Sequence, residues 1–201
     1  MTLVTVDQPA AQPGRARTGH AMQRTRTGIV AGARAGIVRD GVRRLSMAGV
    51  ADLGGVAKAT VYNHVRSKPD LLALVARDLL ERVDVAASAE PTAELALAAA
   101  ATVAADDEVV RAVADREPAV IGRLLRVQSD PVFDEARSTL AALLERHGID
   151  VAGGSQPVEG AAVDLVLRWL LSAAAAPGDG PTRRAEARLL AQALPRVPVT
   201  P

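Results

Sequence analysis

Cysteine is absent, and aromatic side chains are nearly so: Tyr62, Phe133 and Trp169 are the only three in 201 residues. Without a thiol there is no disulfide framework, no thiolate metal site and no cysteine nucleophile. The three histidines, His20, His64 and His147, fall in an N-terminal tail, a short helical stretch and a helix end, so no metal-ligand spacing exists. Neither a G-x-S-x-G elbow nor a phosphate-cradling glycine loop occurs, and Gly153-Gly154-Ser155 reads as a linker. Asp106-Asp107-Glu108 has the composition of an acidic helix start, the commoner meaning of such a run than a divalent-ion site. No apolar run is long enough to span a membrane, and no apolar segment follows a basic patch at the N-terminus, so a cytoplasmic location is expected. An enzyme has no residues here to stand on, and no cofactor or metal is expected.

What is present is a chain 49% apolar, ample for a core, with a net charge of only +1. That balance hides a division. From Arg15 to Arg82 there are 13 basic and 5 acidic residues, whereas the remainder holds 11 basic and 18 acidic. A basic head on an acidic body is the distribution expected of a nucleic-acid reader with a separate second domain.

Within the head, residues 50–72, VADLGGVAKATVYNHVRSKPDLL, organise the rest. Val50, Ala51 and Leu53 make a short apolar helical face that must stop at Gly54-Gly55. Val56, Val61 and Val65 then bury one narrow face of a second helix from about Ala57 to His64. Its other face carries Lys58, Thr60, Tyr62, Asn63 and His64, hydrogen-bonding side chains suited to a DNA groove. Ser67 or Lys68 caps the next helix, Pro69 is tolerated in its first turn, and Lys68 at its mouth can meet a phosphate.

These residues resemble the TetR family of dimeric transcriptional repressors. The match runs through Ile29, Val30, Ala33, Ile37, Gly41, Ser46, Val50, Ala51, Gly55, Val56, Lys58, Thr60, Tyr62, His64, Ser67, Lys68, Leu71 and Leu72, and TVYNHVRSKPDLL is its most specific part. It covers residues 29–72; beyond them only helical pattern and length agree. The resemblance implies a helix-turn-helix contacting DNA through Ser46, Lys58, Thr60, Tyr62, Asn63, His64 and Lys68, with Tyr62 and Lys68 mainly on phosphates. It also implies a small-molecule pocket in the body and a homodimer through the last two helices. Three departures stand out: Ala57 where a serine-like cap is usual, Ile37 for phenylalanine, and Val65 for an aromatic. No arginine lies between Val56 and Val65, which removes the commonest guanine reader. The missing cap and arginine motivate a second reading, a helical ligand-binding or interaction protein with a degenerate head.

Taken in order, residues 1–21 carry prolines and glycines without apolar periodicity and are expected to be a disordered extension; Met22 is a second candidate start. Arg15, Arg17, Arg24 and Arg26 form either a basic arm for DNA or a solvated tail. The first helix is expected over Arg26 to Asp40, with Arg43 and Arg44 in the following loop placed for phosphate or for solvent. The head is assigned to 22–68, a regulatory and dimerisation body to 69–196, and a tail to 197–201. From Pro69 a helix to about Ala87 is apolar on more than one face and must touch both head and body. Further helices are expected from Glu94 to Ala105, from Asp106 to about Asp115, from Pro118 to Gln128, from Pro131 to His147, from Pro157 to Ala176 and from Pro181 to Leu194, with Ile149 to Gln156 a loop. With no repeat and no β pattern, the fold class is all-α: a three-helix head and a helical-bundle body.

In the body, Leu95, Ala98, Leu124, Leu125, Phe133, Leu140 and Trp169 are the candidate effector contacts, being large or apolar and central to their helices. With few polar groups mid-helix, the effector is expected to be mainly apolar, with Arg126, Gln128 or His147 as polar anchors. From Ala161 to Ala176 only Asp164, Arg168 and Ser172 interrupt the apolar sequence, and they fall four apart. Such a helix is expected to be buried on several sides, either by its own domain and a partner copy or as the central helix of a monomeric bundle, and the dimer is the expectation. Leu165, Leu167, Leu171, Leu190 and Leu194 are the candidate interface residues.

Overall fold

The computed structural model describes residues 13–120, 131–151, 160–176 and 178–197, with side chains from residue 22 onward. Their elements are α1 (Pro13–Asp40), α2 (Met47–Gly54), α3 (Lys58–His64), α4 (Lys68–Ser88), α5 (Ala93–Asp106), α6 (Glu108–Arg116), α7 (Pro131–Arg146), α8 (Ala161–Ala175) and α9 (Gly180–Ala193). The fold is all-α. The described residues form no strand, and the one extended contact among them is a bridge between Ile149 and Arg196 that ties the chain after α9 to the end of α7.

Helix α1 starts at Pro13, well before the Arg26 expected from periodicity, so residues 13–21 are helical and not the disordered extension anticipated. Proline is tolerated in a first turn, and a helix can continue by its own backbone bonds where no apolar stripe marks it. The apolar face of α1, Ile29, Ala33 and Ile37, is buried. Beside it, Gly28, Gly32 and Gly36 form a stripe, and α2 lies against Gly28 and Gly32 at backbone distance while the Leu45 and Leu53 side chains cover Gly36. A Cβ on Gly32 would fall 2.3 Å from the Val50 carbonyl oxygen and 2.7 Å from the Gly54 nitrogen. The head is therefore packed partly backbone on backbone, a close approach that its small side chains permit.

Two apolar cores result. The first joins Ile29, Ala33, Ile37, Leu45, Val50, Ala51, Val61 and Val65 to Leu71 and Val75 of α4 and to Val109 and Val113 of α6. The second contains Val83 and Ala87 of α4, most of α5, and the inner faces of α7, α8 and α9. Helix α4 thus enters both cores, as its many-sided apolar pattern predicted. Helix α6, by contrast, lends its two buried valines to the head's core and lies against α1. The alanine-rich α5 is central, with α4, α8 and α9 packed on it; Ala96, Ala100 and Ala101 are fully buried, where any larger side chain would push the helices apart.

Other boundaries shift modestly. The helix expected from Pro118 is present at residues 118–120, and its remainder lies outside the described residues. The helix expected from Pro157 is described from Ala161, after Gly160 in the left-handed region at φ +78°. Leu53, expected on the buried face of α2, is 38% exposed beside the buried Val50 and Ala51.

Candidate nucleic-acid interface

Helix α2 begins at Ser46, whose hydroxyl accepts from the Gly49 amide at 3.1 Å. It ends at Gly55, whose φ of +63° turns the chain sharply enough for the Val56 amide to return to the Ala51 carbonyl at 3.1 Å. Helix α3 follows without a side-chain cap, since Ala57 offers no acceptor. Its hold on the head comes from Val61 and Val65, both buried in the first core. With those two positions inward, Lys58, Tyr62, Asn63 and His64 are exposed and Thr60 is half-buried. Tyr62, 57% exposed, is an aromatic held in solvent on a face that is otherwise polar or small.

The flanks are basic. Arg43 and Arg44 are exposed in the turn between α1 and α2, and Ser46 is exposed at its end. The Ser67 hydroxyl caps α4 by accepting from Asp70 N, and the half-buried Lys68 sends its Nζ to the Arg43 carbonyl at 2.8 Å. Lys68 is therefore tied to the turn that carries Arg43 and Arg44. The local field is positive: Arg39 hydrogen-bonds Asp40 and holds its carboxyl below the ordinary carboxylate value, with the charges of Arg44 and Arg116 acting in the same sense. The nine predicted DNA-facing residues thus fall on α3, in the turn between α1 and α2, or in the first turn of α4.

Sequence reasoning missed the residues that hold this surface to the body. At one end of α6, Asp107 Oδ1 accepts from the amides of Val109 and Val110, and Oδ2 accepts from Arg34 of α1 at 2.9 Å and Arg82 of α4 at 2.5 Å. At the other end, Glu117 accepts from the backbone amides of Val42 and Arg43, while Arg116 donates to the carbonyls of Val38 and Arg39. The acidic start of α6 was legible, but its partners lie 25 residues away at Arg82 and more than seventy away on α1 and its following turn, and leave no local signal.

The body candidates separate. Ala98, Phe133 and Leu140 are buried in the second core. Leu95 is 40% exposed, on the outer side of α5 and not in the interior as expected. Trp169 is half-buried, and its indole N–H donates to Glu186 of α9, so it faces the α8–α9 pair. Leu124, Leu125, Arg126 and Gln128 lie outside the described residues. His147 places both ring nitrogens against backbone carbonyls, those of Leu143 and Glu90. It also borders a cleft of about 360 Å³ with Thr92, Arg188 and Arg196. A second cleft of about 300 Å³ opens between α1 and α4, walled by Arg26, Arg34, Asp78, Glu81 and Arg82. Phe133, Leu140 and Trp169 line neither.

Of the interface candidates, Leu165 is 46% exposed, and Leu171 and Leu190 are half-buried. Leu167 and Leu194 are instead packed in the chain's own core, which corrects their assignment to a contact surface. Leu189, not singled out by the sequence, is 66% exposed.

No family model matches the sequence, and no curated protein matches it. Solved structures do. The TetR family repressor AlkX from a Dietzia species, implicated in the biodegradation of n-alkanes, aligns over 83% of this chain and 93% of its own at 17% identity and a TM-score of 0.58. FadR of Bacillus subtilis, solved with stearoyl-CoA, aligns over 82% and 96% at 18% identity and 0.54. A TetR-family regulator from Pectobacterium atrosepticum aligns over 90% and 98% at 23% identity and 0.54. The chain has the fold of the TetR-family transcriptional regulators.

Proposed function

We propose that this protein is a homodimeric DNA-binding transcriptional regulator, a repressor released from its operator by a mainly apolar small molecule. The observation that carries the reading is the outward face of α3, where Lys58, Tyr62, Asn63 and His64 are exposed while Val61 and Val65 anchor the helix from behind. A short helix buried on one side and polar on the other is the shape that enters a major groove. The charge division along the chain and the shared fold support the same reading.

In this reading residues 22–68 read DNA, 69–196 sense and dimerise, and 1–21 and 197–201 flank them. Lys58, Thr60, Asn63 and His64 face base edges, and Tyr62, Lys68, Arg43, Arg44 and Ser46 serve the backbone. Two heads of a dimer must sit about 34–36 Å apart to enter successive major grooves, and an effector that changes this spacing releases the DNA. An apolar effector accords with the apolar make-up of α5, α7 and α8, with the n-alkanes in whose biodegradation AlkX is implicated, and with the acyl chain of the stearoyl-CoA solved with FadR.

The test is an anisotropy titration against the protein's own upstream region and a scrambled duplex at about 150 mM salt. Preference for the first by roughly 10³ or more is expected. Tyr62→Ala should weaken binding to both duplexes, whereas Asn63→Ala should mainly reduce the preference, by about 1–3 kcal/mol at one base step. Equal binding of the unmodified protein to both duplexes would favour a helical ligand-binding protein with a degenerate head.

A further inference from the structure

We propose that Glu117, brought from the end of α6, is a positioning residue for DNA binding: its carboxylate sets the backbone of the turn from which Arg43 and Arg44 reach phosphates. The inference rests on the reading of the protein as a DNA-binding regulator, and it assigns a part in that interface to a residue outside the head.

The turn after α1 has little structure of its own. Its internal backbone bond, from the Leu45 amide to the Val42 carbonyl, is long at 3.3 Å. The amides of Val42 and Arg43 point instead at one carboxylate, Glu117 Oε2 at 2.9 Å and Oε1 at 3.1 Å. Two successive amides converging on an anion form a nest, a geometry that holds only while the anion is there. Gly41, at φ +83°, lies so close that a Cβ would sit 3.2 Å from Glu117 Oε1. Beside it Arg116 takes the Val38 and Arg39 carbonyls, last-turn acceptors of α1 that otherwise have no intrahelical donor. The Arg43 carbonyl is held from the other side by Lys68 Nζ. The main chain of Arg43 is thus fixed at both its N–H and its C=O, while the side chains of Arg43 and Arg44 stand exposed.

Electrostatics alone argues the opposite effect, which makes the proposal decidable. Glu117 is a negative charge among Arg39, Arg43, Arg44 and Arg116, so by charge alone its removal should tighten binding to a polyanion. Positioning requires that its removal loosen it, because the two arginines lose a common orientation.

The experiment uses the full chain and a random-sequence duplex, which needs no knowledge of the operator. Binding is titrated across salt for the unmodified protein, Glu117→Ala, Glu117→Gln, the Arg43→Ala/Arg44→Ala pair and the triple variant, with helix content checked by circular dichroism. The expected result is a three- to tenfold loss for Glu117→Ala at about 0.1 M salt and a log–log salt slope smaller by about one. The triple variant should bind no worse than the arginine pair, since residues acting through one contact are not additive. Glu117→Gln, which keeps one carbonyl acceptor, should fall between and serves if the alanine variant does not fold. Amide exchange at Val42 and Arg43 should quicken in both variants. Unchanged or tighter binding by a folded Glu117 variant, or a loss that adds to that of the arginine pair, overturns the proposal and leaves the regulator reading standing. Failure of the unmodified protein to bind any duplex overturns both.

Discussion

Asp107 carries two tasks on one carboxylate, capping α6 with one oxygen and pairing Arg34 and Arg82 with the other. Its side chain is only 1% exposed. Burial pushes its pKa up, but the Arg82 hydrogen bond, the Val110 amide and Arg34 together hold it below the ordinary carboxylate value. A carboxyl depressed in the folded state adds stability that is fully present above the unfolded value and is lost as pH falls through the folded one. Asp107→Asn should therefore cost about 2–3 kcal/mol at pH 7, toward the low side for a broken buried pair because Arg82 is partly solvated and Asp78 remains beside both arginines. Urea unfolding at pH 7 and again near pH 3 checks this, and the gap between the two proteins should shrink at the lower pH. An equal gap at both would mean that a hydrogen-bond acceptor and not the charge is what Asp107 supplies. The acid was legible as a helix start; its arginines were not, because pairing across three helices has no period in the chain.

Among the helices of the head that follow α1, α3 alone lacks a side-chain cap. Helices α2, α4 and α5 each have a serine or threonine cap, from Ser46, Ser67 and Thr92, whereas Ala57 caps nothing. Its backbone, at φ −63° and ψ 141°, is already extended as a capping residue requires. Ala57→Ser should stabilise the protein by about 1 kcal/mol, read as a higher urea midpoint with slower amide exchange at Ala59 and Thr60. No change in either would mean that Val61 and Val65 alone decide whether α3 is formed. Helix existence was mostly legible, since apolar period, Ser and Asp caps, and Gly or Pro punctuation act within a few residues. The early start of α1 was not, because residues 13–21 carry no apolar period in the sequence. Leu53 misled for a related reason: its place on the wheel is apolar, but it reaches only the edge of the α1–α2 contact, beside Gly36, and stays partly exposed.

In the whole molecule, two cores share α4, and α6 is held at both ends by the head, so the domain boundary expected at residue 68 is crossed by packing and by ion pairs. The surface proposed to meet a second copy narrows to the exposed Leu165 and Leu189 with the half-buried Leu171 and Leu190. A fully buried leucine contributes about 1.5–3 kcal/mol, and each would count twice in a symmetric dimer. Leu165→Arg with Leu189→Arg should give a folded monomer by analytical ultracentrifugation, with weakened DNA binding; a dimer of undiminished stability would place the interface elsewhere. By itself the sequence determined the all-α class, the order of most helices and the polar face of α3, because periodicity, capping and turn chemistry are local. Only the tertiary structure decided which leucines serve the chain's own core, that α6 packs with the head, and that Asp107, Arg116 and Glu117 grip α1 and the Arg43 turn. Those outcomes depend on which residues, dozens of positions apart, close packing brings within a few ångströms.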